Sequence, residues 1–389
     1  MSTLTSAPVP AVAPERDRIP VSAPARRLHG LDHLRALAII SVCIFHYSLF
    51  GHPPGLDTIG SFGWTGVDLF FVLSGYLIGG QLLSRIAKGQ PISYGEFYFK
   101  RTLRILPAYL VVLLIYFTWP AFTERSQLPP LWKFLTFTQN LGMNLQHMAF
   151  SHAWSLCIEE QFYLILPLIL LLLPNRRHAA WLLLILFLAG FGIRLFNWYH
   201  FIEPVLQNPD HKGFGQAYYE WIYYPTFTRL DGLLAGVTLA AIFHFRPTLW
   251  QRLTLHGNRL LLLSLLLLAG AWWVSHNEYQ YQFRGAIFGY PLISLAYGVL
   301  VLAALSPTCI LYKIPSRLTT FLAAISYSLY LVHKQLIHLT KVVMTQHGFS
   351  EDSYIVFGTG LLVAFLGGWL LHLIVEKPFL RLRDRILRR

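Results

Sequence analysis

The sequence predicts an all-α polytopic membrane protein, a bundle of about ten transmembrane helices with both termini cytoplasmic, and three features carry that expectation. Of 389 residues, 55% are hydrophobic and only 13% charged, whereas a soluble globular domain carries about 25% charged residues. With a mean hydropathy of +0.49, the apolar runs are too long and too numerous to be single buried helices of a water-soluble core. They also exclude an outer-membrane barrel, whose strands alternate apolar and polar residues over about 10 positions. The net charge of +13 is distributed by membrane side rather than as a nucleic-acid footprint, so no nucleic-acid partner is expected.

Residues 1–30 are rich in Pro, Ala and Ser, contain Arg16, Arg18, Arg26 and Arg27, and lack a signal-peptide core; they read as a disordered cytoplasmic tail. Spans then fall at 33–51, 63–84, 104–122, 153–174, 179–200, 225–245, 259–275, 285–305, 319–340 and 353–375, each near the ~20 residues a helix needs to cross the hydrocarbon. An even number returns the chain to its starting side. On that side lie Arg85, Lys88, Lys100, Arg101 and Arg104, then Arg176 and Arg177, then Arg246, Arg252 and Arg259, then Lys313 and Arg317, and finally the basic tail 377–389. The opposite loops hold Arg125, Lys133, Lys212, Arg284 and Lys341, while Arg35, Arg194, Arg229 and Lys334 lie within or at the edge of spans. The membrane domain is expected over 31–376, with its longest non-apolar stretches, 123–152 and 201–224, on the outer side; their Trp132, Trp221 and tyrosines suit sugar stacking and interface anchoring alike. Cys43, Cys157 and Cys309 share no close spacing and read as packing residues; no metal site is expected.

An ionisable side chain at bilayer depth costs at least ~2.5 kcal/mol on insertion scales, so each one is a functional candidate whose partner must be found. In the first span Arg35 and His46 share a helix face, roughly 16 Å apart along the axis. A cation at the cytoplasmic mouth and an imidazole deeper on the same stripe suit an anionic cofactor that reacts at its inner tip. Snorkelling by Arg35, with His46 bonded to a carbonyl, suits them equally. The second span brings Asp68 as its buried acid, Ser74 as a ligand donor or back-bonded helix residue, and Gly75 with Gly79 as a helix-packing pair. No Gly-x-Ser-x-Gly elbow exists, which argues against a serine nucleophile. Arg101 and Arg104 face together at i, i+3, a geometry for capturing phosphate or contacting anionic lipid. Glu159 and Glu160 are neighbours on the fourth helix and so point about 100° apart, which prevents a shared-proton pair; either serves as general acid or base, or as counter-ion to Arg229. The sixth span offers Arg229 and Asp231, and the ninth places Ser326, Tyr330 and His333 on one stripe beside Lys334. Together these groups indicate a polar chamber.

Seven strings in order carry a resemblance to a known family. They are Arg35-x10-His46, Phe70-Phe71-x-x-Ser74-Gly75-Tyr76, Lys100-Arg101-x-x-Arg104-x-x-Pro107, Trp154-Ser155-Leu156-x-x-Glu159-x-x-Phe162-Tyr163, Arg229-x-Asp231-Gly232, Ser326-Tyr327-x-x-Tyr330-Leu331-x-His333 and Glu376-Lys377-Pro378-Phe379. Over about 30–383 the chain resembles the integral-membrane acyltransferase family 3. Two departures are visible: Lys100 stands where the family usually has arginine, and the proline often found after the ninth-span histidine is absent.

The resemblance implies an enzyme of a bacterial cytoplasmic membrane that takes an acyl group, usually acetyl, from cytoplasmic acyl-CoA to a hydroxyl. That hydroxyl often belongs to a sugar in a surface polysaccharide, a lipid-linked glycan or a glycosylated natural product. The resemblance implies that Arg35 and His46 are essential; His46 is expected to act as general base or transient acyl carrier, and Glu159 to orient or recharge the imidazole. Arg101, Arg104 and Lys100 are expected to hold the acyl-CoA phosphates, Ser74 and Tyr76 to line the donor channel, and Asp68, Arg229, Asp231, Tyr330 and His333 to meet the acceptor. The expected partners are the bilayer, acyl-CoA and a carbohydrate, and a homo-oligomer is left open. Some members carry a further hydrolase-like domain after the tenth span, which this chain is expected to lack. A secondary transporter or flippase is the competing class; it predicts interrupted helices at matching positions of two halves, a pattern not found in the sequence. A non-catalytic scaffold would leave the buried charges unexplained.

Overall fold

A computed structural model describes residues 28–388 except 51, 126, 144–147, 173–175, 209 and 277–281, so the expected tail lies almost wholly outside the described residues. The described chain is helical, with an isolated bridge between Gln127 and Met148 and no strand among the described residues. Its long helices are α1 (His29–Ser48), α2 (Gly66–Ala87), α3 (Tyr94–Thr118), α4 (Trp154–Leu172), α5 (Arg176–Asn197), α6 (Asp231–Phe245), α7 (Gly257–His276), α8 (Tyr290–Leu305), α9 (Arg317–Gln346) and α10 (Tyr354–Leu371). Seven helical stretches, those containing α2, α3, α4, α5, α7, α8 and α10, are long and apolar enough to cross a membrane, which makes this a multi-pass membrane protein. Helix α6 is shorter, and α1 and α9 fall outside that set; α1 carries Asp32, His33, Arg35 and His46, and α9 carries His333, Lys334 and Lys341. Large apolar side chains such as Leu188 on α5 and Leu266 and Trp273 on α7 stand exposed around the bundle, as lipid-facing residues do.

Three boundaries differ from the sequence expectation. Helix α3 begins at Tyr94, well before position 104, because Glu96, Lys100, Arg101 and Arg104 favour helix although a hydropathy window excludes them. Helix α10 does not stop at the expected span end, 375. It passes through a π-helical turn, His372–Glu376, into α11 (Lys377–Ile386), whose Lys, Arg and Leu residues are strong helix formers. The stretch expected as an outer loop at 123–152 instead sends a wedge between α3 and α4. Tyr109 donates its hydroxyl hydrogen to the Phe134 carbonyl at 3.1 Å and Gln161 donates to the Phe137 carbonyl at 2.7 Å. Tyr109 and Gln161 both stand near the middle of candidate spans, so irregular backbone reaches that depth with its carbonyls satisfied by protein.

Packing is closest where α2 meets α6. A Cβ on Gly75 would lie 2.1 Å from the Leu233 carbonyl oxygen, and one on Gly236 would lie 2.2 Å from that of Val72, so only glycine admits this crossing. Gly79 lies against Val237 on the same seam. Helix α1 packs against α2, α8 and α9, and its Gly30 meets the Ala304 carbonyl. Its polar stripe therefore faces protein along most of its length. Cys43, Cys157 and Cys309 are buried free thiols.

Candidate active site

The stripe on α1 ends at His46, which keeps 9% of its surface open. Its Nδ1 lies 3.0 Å from the Val42 carbonyl oxygen, one turn back, and 3.0 Å from Nε2 of His333 on α9. Its Nε2 has no hydrogen-bond partner among the described residues. His333 is fully buried, and its Nδ1 is 2.8 Å from the Tyr330 carbonyl. A third imidazole completes the group: the His152 ring centroid is 5.2 Å from that of His333 and 6.0 Å from that of His46. His152 is bonded through Nε2 to the Leu331 carbonyl at 3.2 Å, and its buried Nδ1 has no partner. Tyr330 braces the cluster by donating to the His152 carbonyl at 2.6 Å, and its hydroxyl also lies 2.7 Å from Ser155 Oγ. Just beyond, Lys334 is held by Ser151 Oγ at 2.7 Å and Glu124 at 3.0 Å. Among the described residues no three His, Cys, Asp or Glu side chains are grouped as ligands of one metal ion.

The other end of the stripe is cationic. Arg35 has Arg101, Arg104, Asp32 and Tyr163 as electrostatic neighbours and makes no hydrogen bond among the described residues. Arg101 stacks 5.7 Å from the Tyr163 ring centroid, and its buried Nε has no partner. With Glu160, Gln161 and Tyr163 it lines a cleft of about 210 Å³ between α3, α4 and the wedge. Arg104 is already paired, 2.9 Å from Glu376, which also accepts from Ser328 at 2.6 Å and His372 at 2.9 Å. Lys100 turns away to Glu96 at 2.5 Å in a half-exposed network with Arg85, as its position about 100° around the helix from Arg101 requires. Unpaired guanidinium groups at this end fit an anion such as a phosphate ester.

Between the two ends runs a polar line on α4. Ser155, Glu159 and Tyr163 recur every four residues and so share one face. Tyr163 donates to Glu159 Oε2 at 2.9 Å and is also hydrogen-bonded to Ser74 on α2. Glu159 makes no hydrogen bond to His46; the ring's partner is His333 instead. Tyr76 is a half-buried ring packed against both hydrophobic clusters of the core.

The residues assigned to the acceptor divide. Tyr330 and His333 belong to the imidazole cluster, but Asp68, Arg229 and Asp231 are committed to buried ion pairs. Arg229 donates to Asp68 at 2.8 Å beneath the rings of Tyr290, Tyr223 and Trp154, with centroids 4.1, 4.7 and 5.1 Å away. Its counter-ion is therefore Asp68 and neither Glu159 nor Glu160. Asp231 is gripped by both terminal nitrogens of Arg194, at 2.6 and 3.1 Å. These pairs join α2, α5 and α6, so each of the three side chains already holds a counter-ion within the protein.

Comparison with known proteins decides the family. A family profile described as an acyltransferase domain, of the acyltransferase 3 type, matches residues 28–373. The chain belongs to this family. It is similar to the O-acetyltransferase OatA of Staphylococcus aureus strain NCTC 8325, with 28% identity over 335 residues covering 80% of this chain and 51% of OatA. It is also similar to a protein of strain COL named "Putative O-acetyltransferase SACOL0978", with 27% identity covering 91% of this chain and 57% of that protein. The chain thus spans about half the length of the curated relatives it matches. No solved structure matches it.

His152 and Glu124 carry much of this geometry without having been singled out in the sequence, and Arg194 and Tyr163 entered only as a charge within a span and as the end of a string. His152 stands two positions before the Trp154-Ser155 string, at the start of a span, which is the available signal; Arg194 is an arginine inside an apolar run.

Proposed function

We propose that this acyltransferase is a membrane O-acyltransferase that moves an acyl group, expected to be acetyl, from acyl-CoA at the cytoplasmic face to a hydroxyl of a carbohydrate acceptor. Ten helices cross a bacterial cytoplasmic membrane in this reading, with both termini inside, 31–376 forming the acyltransferase unit and 377–389 a basic cytoplasmic end. The O-acetyltransferase names of its relatives support the reaction type. The observation that carries the reading is the imidazole of His46, whose Nε2 is unbonded at one end of the α1 stripe while unpaired Arg35 and Arg101 stand at the other.

The chemistry follows from that spacing. Arg101 and Arg35 hold the donor phosphates, and the thioester extends along α1 toward His46. His46 Nε2 takes the acceptor's hydroxyl proton while the oxygen attacks the acyl carbon, or it attacks first and carries the acyl group; one vacant nitrogen serves both routes. The polar line of Glu159, Tyr163 and Ser74 borders the donor's path. Proteoliposomes given labelled acetyl-CoA and a glycan acceptor test this: His46→Ala should abolish the acylated product while acyl-CoA binding persists. Near-normal turnover in that variant would remove His46 from the chemistry, and acceptor movement without acylation would favour a transporter.

A further inference from the structure

We infer that His333 is the positioning residue of the reaction, fixing the protonation of His46 and sharing its charge in the place where many enzymes use a carboxylate. The direction of each hydrogen bond is forced. Carbonyl oxygens only accept, so the 2.8 Å contact to the Tyr330 carbonyl puts the hydrogen of His333 on Nδ1 and leaves Nε2 with a lone pair. The 3.0 Å contact to the Val42 carbonyl likewise puts a hydrogen on Nδ1 of His46, and that N–H also points at the lone pair of His333 Nε2, 3.0 Å away. Nε2 of His46 is then the bare nitrogen, and it is the one without a partner.

His333 is built to hold this assignment. It is fully buried, and the residue whose carbonyl it bonds, Tyr330, is tied in turn to the His152 carbonyl and Ser155. Among the described residues no carboxylate hydrogen-bonds to either ring, and the nearest charged neighbour on the same helix, Lys334, is neutralised by Glu124. A developing imidazolium at His46 has no anion to meet, so its charge must be shared with a base, and His333 Nε2 is that base. In the direct route the acceptor oxygen attacks the acyl carbon, the carbon–sulfur bond breaks with its electron pair on sulfur, and the hydroxyl proton passes to His46 Nε2. The Nδ1 proton shifts toward His333 Nε2 as this happens and returns when Nε2 hands its proton to the thiolate. Ester and free thiol are the only net products, and both rings end as they began.

The inference rests on His46 being the reactive imidazole. His333→Gln keeps an acceptor oxygen but no proton-accepting nitrogen; in proteoliposomes with acetyl-CoA and glycan it should lose about 100-fold or more in kcat with little change in the KM of either substrate. His333→Ala should fall equally and regain at least about tenfold with added imidazole, since a free base can occupy the vacated site. Acyl-CoA binding and a single gel-filtration peak confirm folding of each variant. Wild-type kcat and pH profile in His333→Gln, or the absence of imidazole rescue in a folded His333→Ala, would overturn the inference. So would a raised acceptor KM with kcat unchanged, which would return His333 to substrate contact. Activity in His46→Ala would instead refute the underlying reading, and that outcome is separable because it leaves the His333 variants uninvolved.

Discussion

Removing Arg229 should damage the fold more than neutralising its partner, and the structure sets the sizes. Arg229→Met leaves Asp68, only 1% exposed, as a carboxylate with no cation in reach; its Oδ2 already lacks a partner. Breaking a buried pair in this way costs about 3–5 kcal/mol, more than about 100-fold in the folded-to-unfolded ratio. Asp68→Asn keeps an acceptor oxygen and leaves the guanidinium facing Tyr290, Tyr223 and Trp154, where ring contacts contribute about 0.5–2 kcal/mol each. Its cost should therefore be limited to the charge-assisted share of one hydrogen bond, about 1.5–3 kcal/mol. The double variant Asp68→Asn with Arg229→Met contains no orphaned charge and should be more stable than Arg229→Met alone. Denaturant titration in detergent, with the folded fraction read from tryptophan emission, measures all three. A double variant less stable than Arg229→Met would refute the argument. A folded double variant with an acceptor KM raised tenfold would show that the pair contacts substrate after all.

Two further outcomes are expected. Gly236→Val places a branched side chain where a Cβ already lies 2.2 Å from the Val72 carbonyl, so it should prevent the α2–α6 crossing and yield little monodisperse protein, whereas Gly270→Ala, with nothing within 4 Å, should purify normally. Arg101→Gln should raise the acyl-CoA KM about tenfold, the worth of a charge-assisted contact. Arg104→Gln should act chiefly on stability by removing the guanidinium partner of Glu376, whose remaining contacts are Ser328 and His372, a difference that acyl-CoA titration and thermal unfolding resolve.

What the sequence revealed follows from distance along the chain. The helices, the shared face of Arg35 and His46, and the packing role of Gly75 and Gly79 all rest on local periodicity, and the structure contains each of them. Partnerships between helices were not legible. Nothing in the strings distinguishes Asp68 from Glu159 as the counter-ion of Arg229, or reveals that His46 meets an imidazole 287 positions away. The wedge escaped for a related reason: its depth depends on Tyr109 and Gln161, which belong to two other helices. Helix α11 was hidden by its own charge, since hydropathy reports apolar content and its basic residues form helix equally well.

The wedge also constrains the order in which the molecule is built. The Phe134 carbonyl also accepts from the Phe137 backbone N–H at 3.2 Å, but the Phe137 carbonyl takes its hydrogen from Gln161, which is synthesised later and is delivered only with α4. Until that helix lies beside α3, the Phe137 carbonyl cannot leave water without abandoning its hydrogen bond. Closure of this part of the bundle, and with it the cleft around Arg101, is consequently expected to follow insertion of the flanking helices.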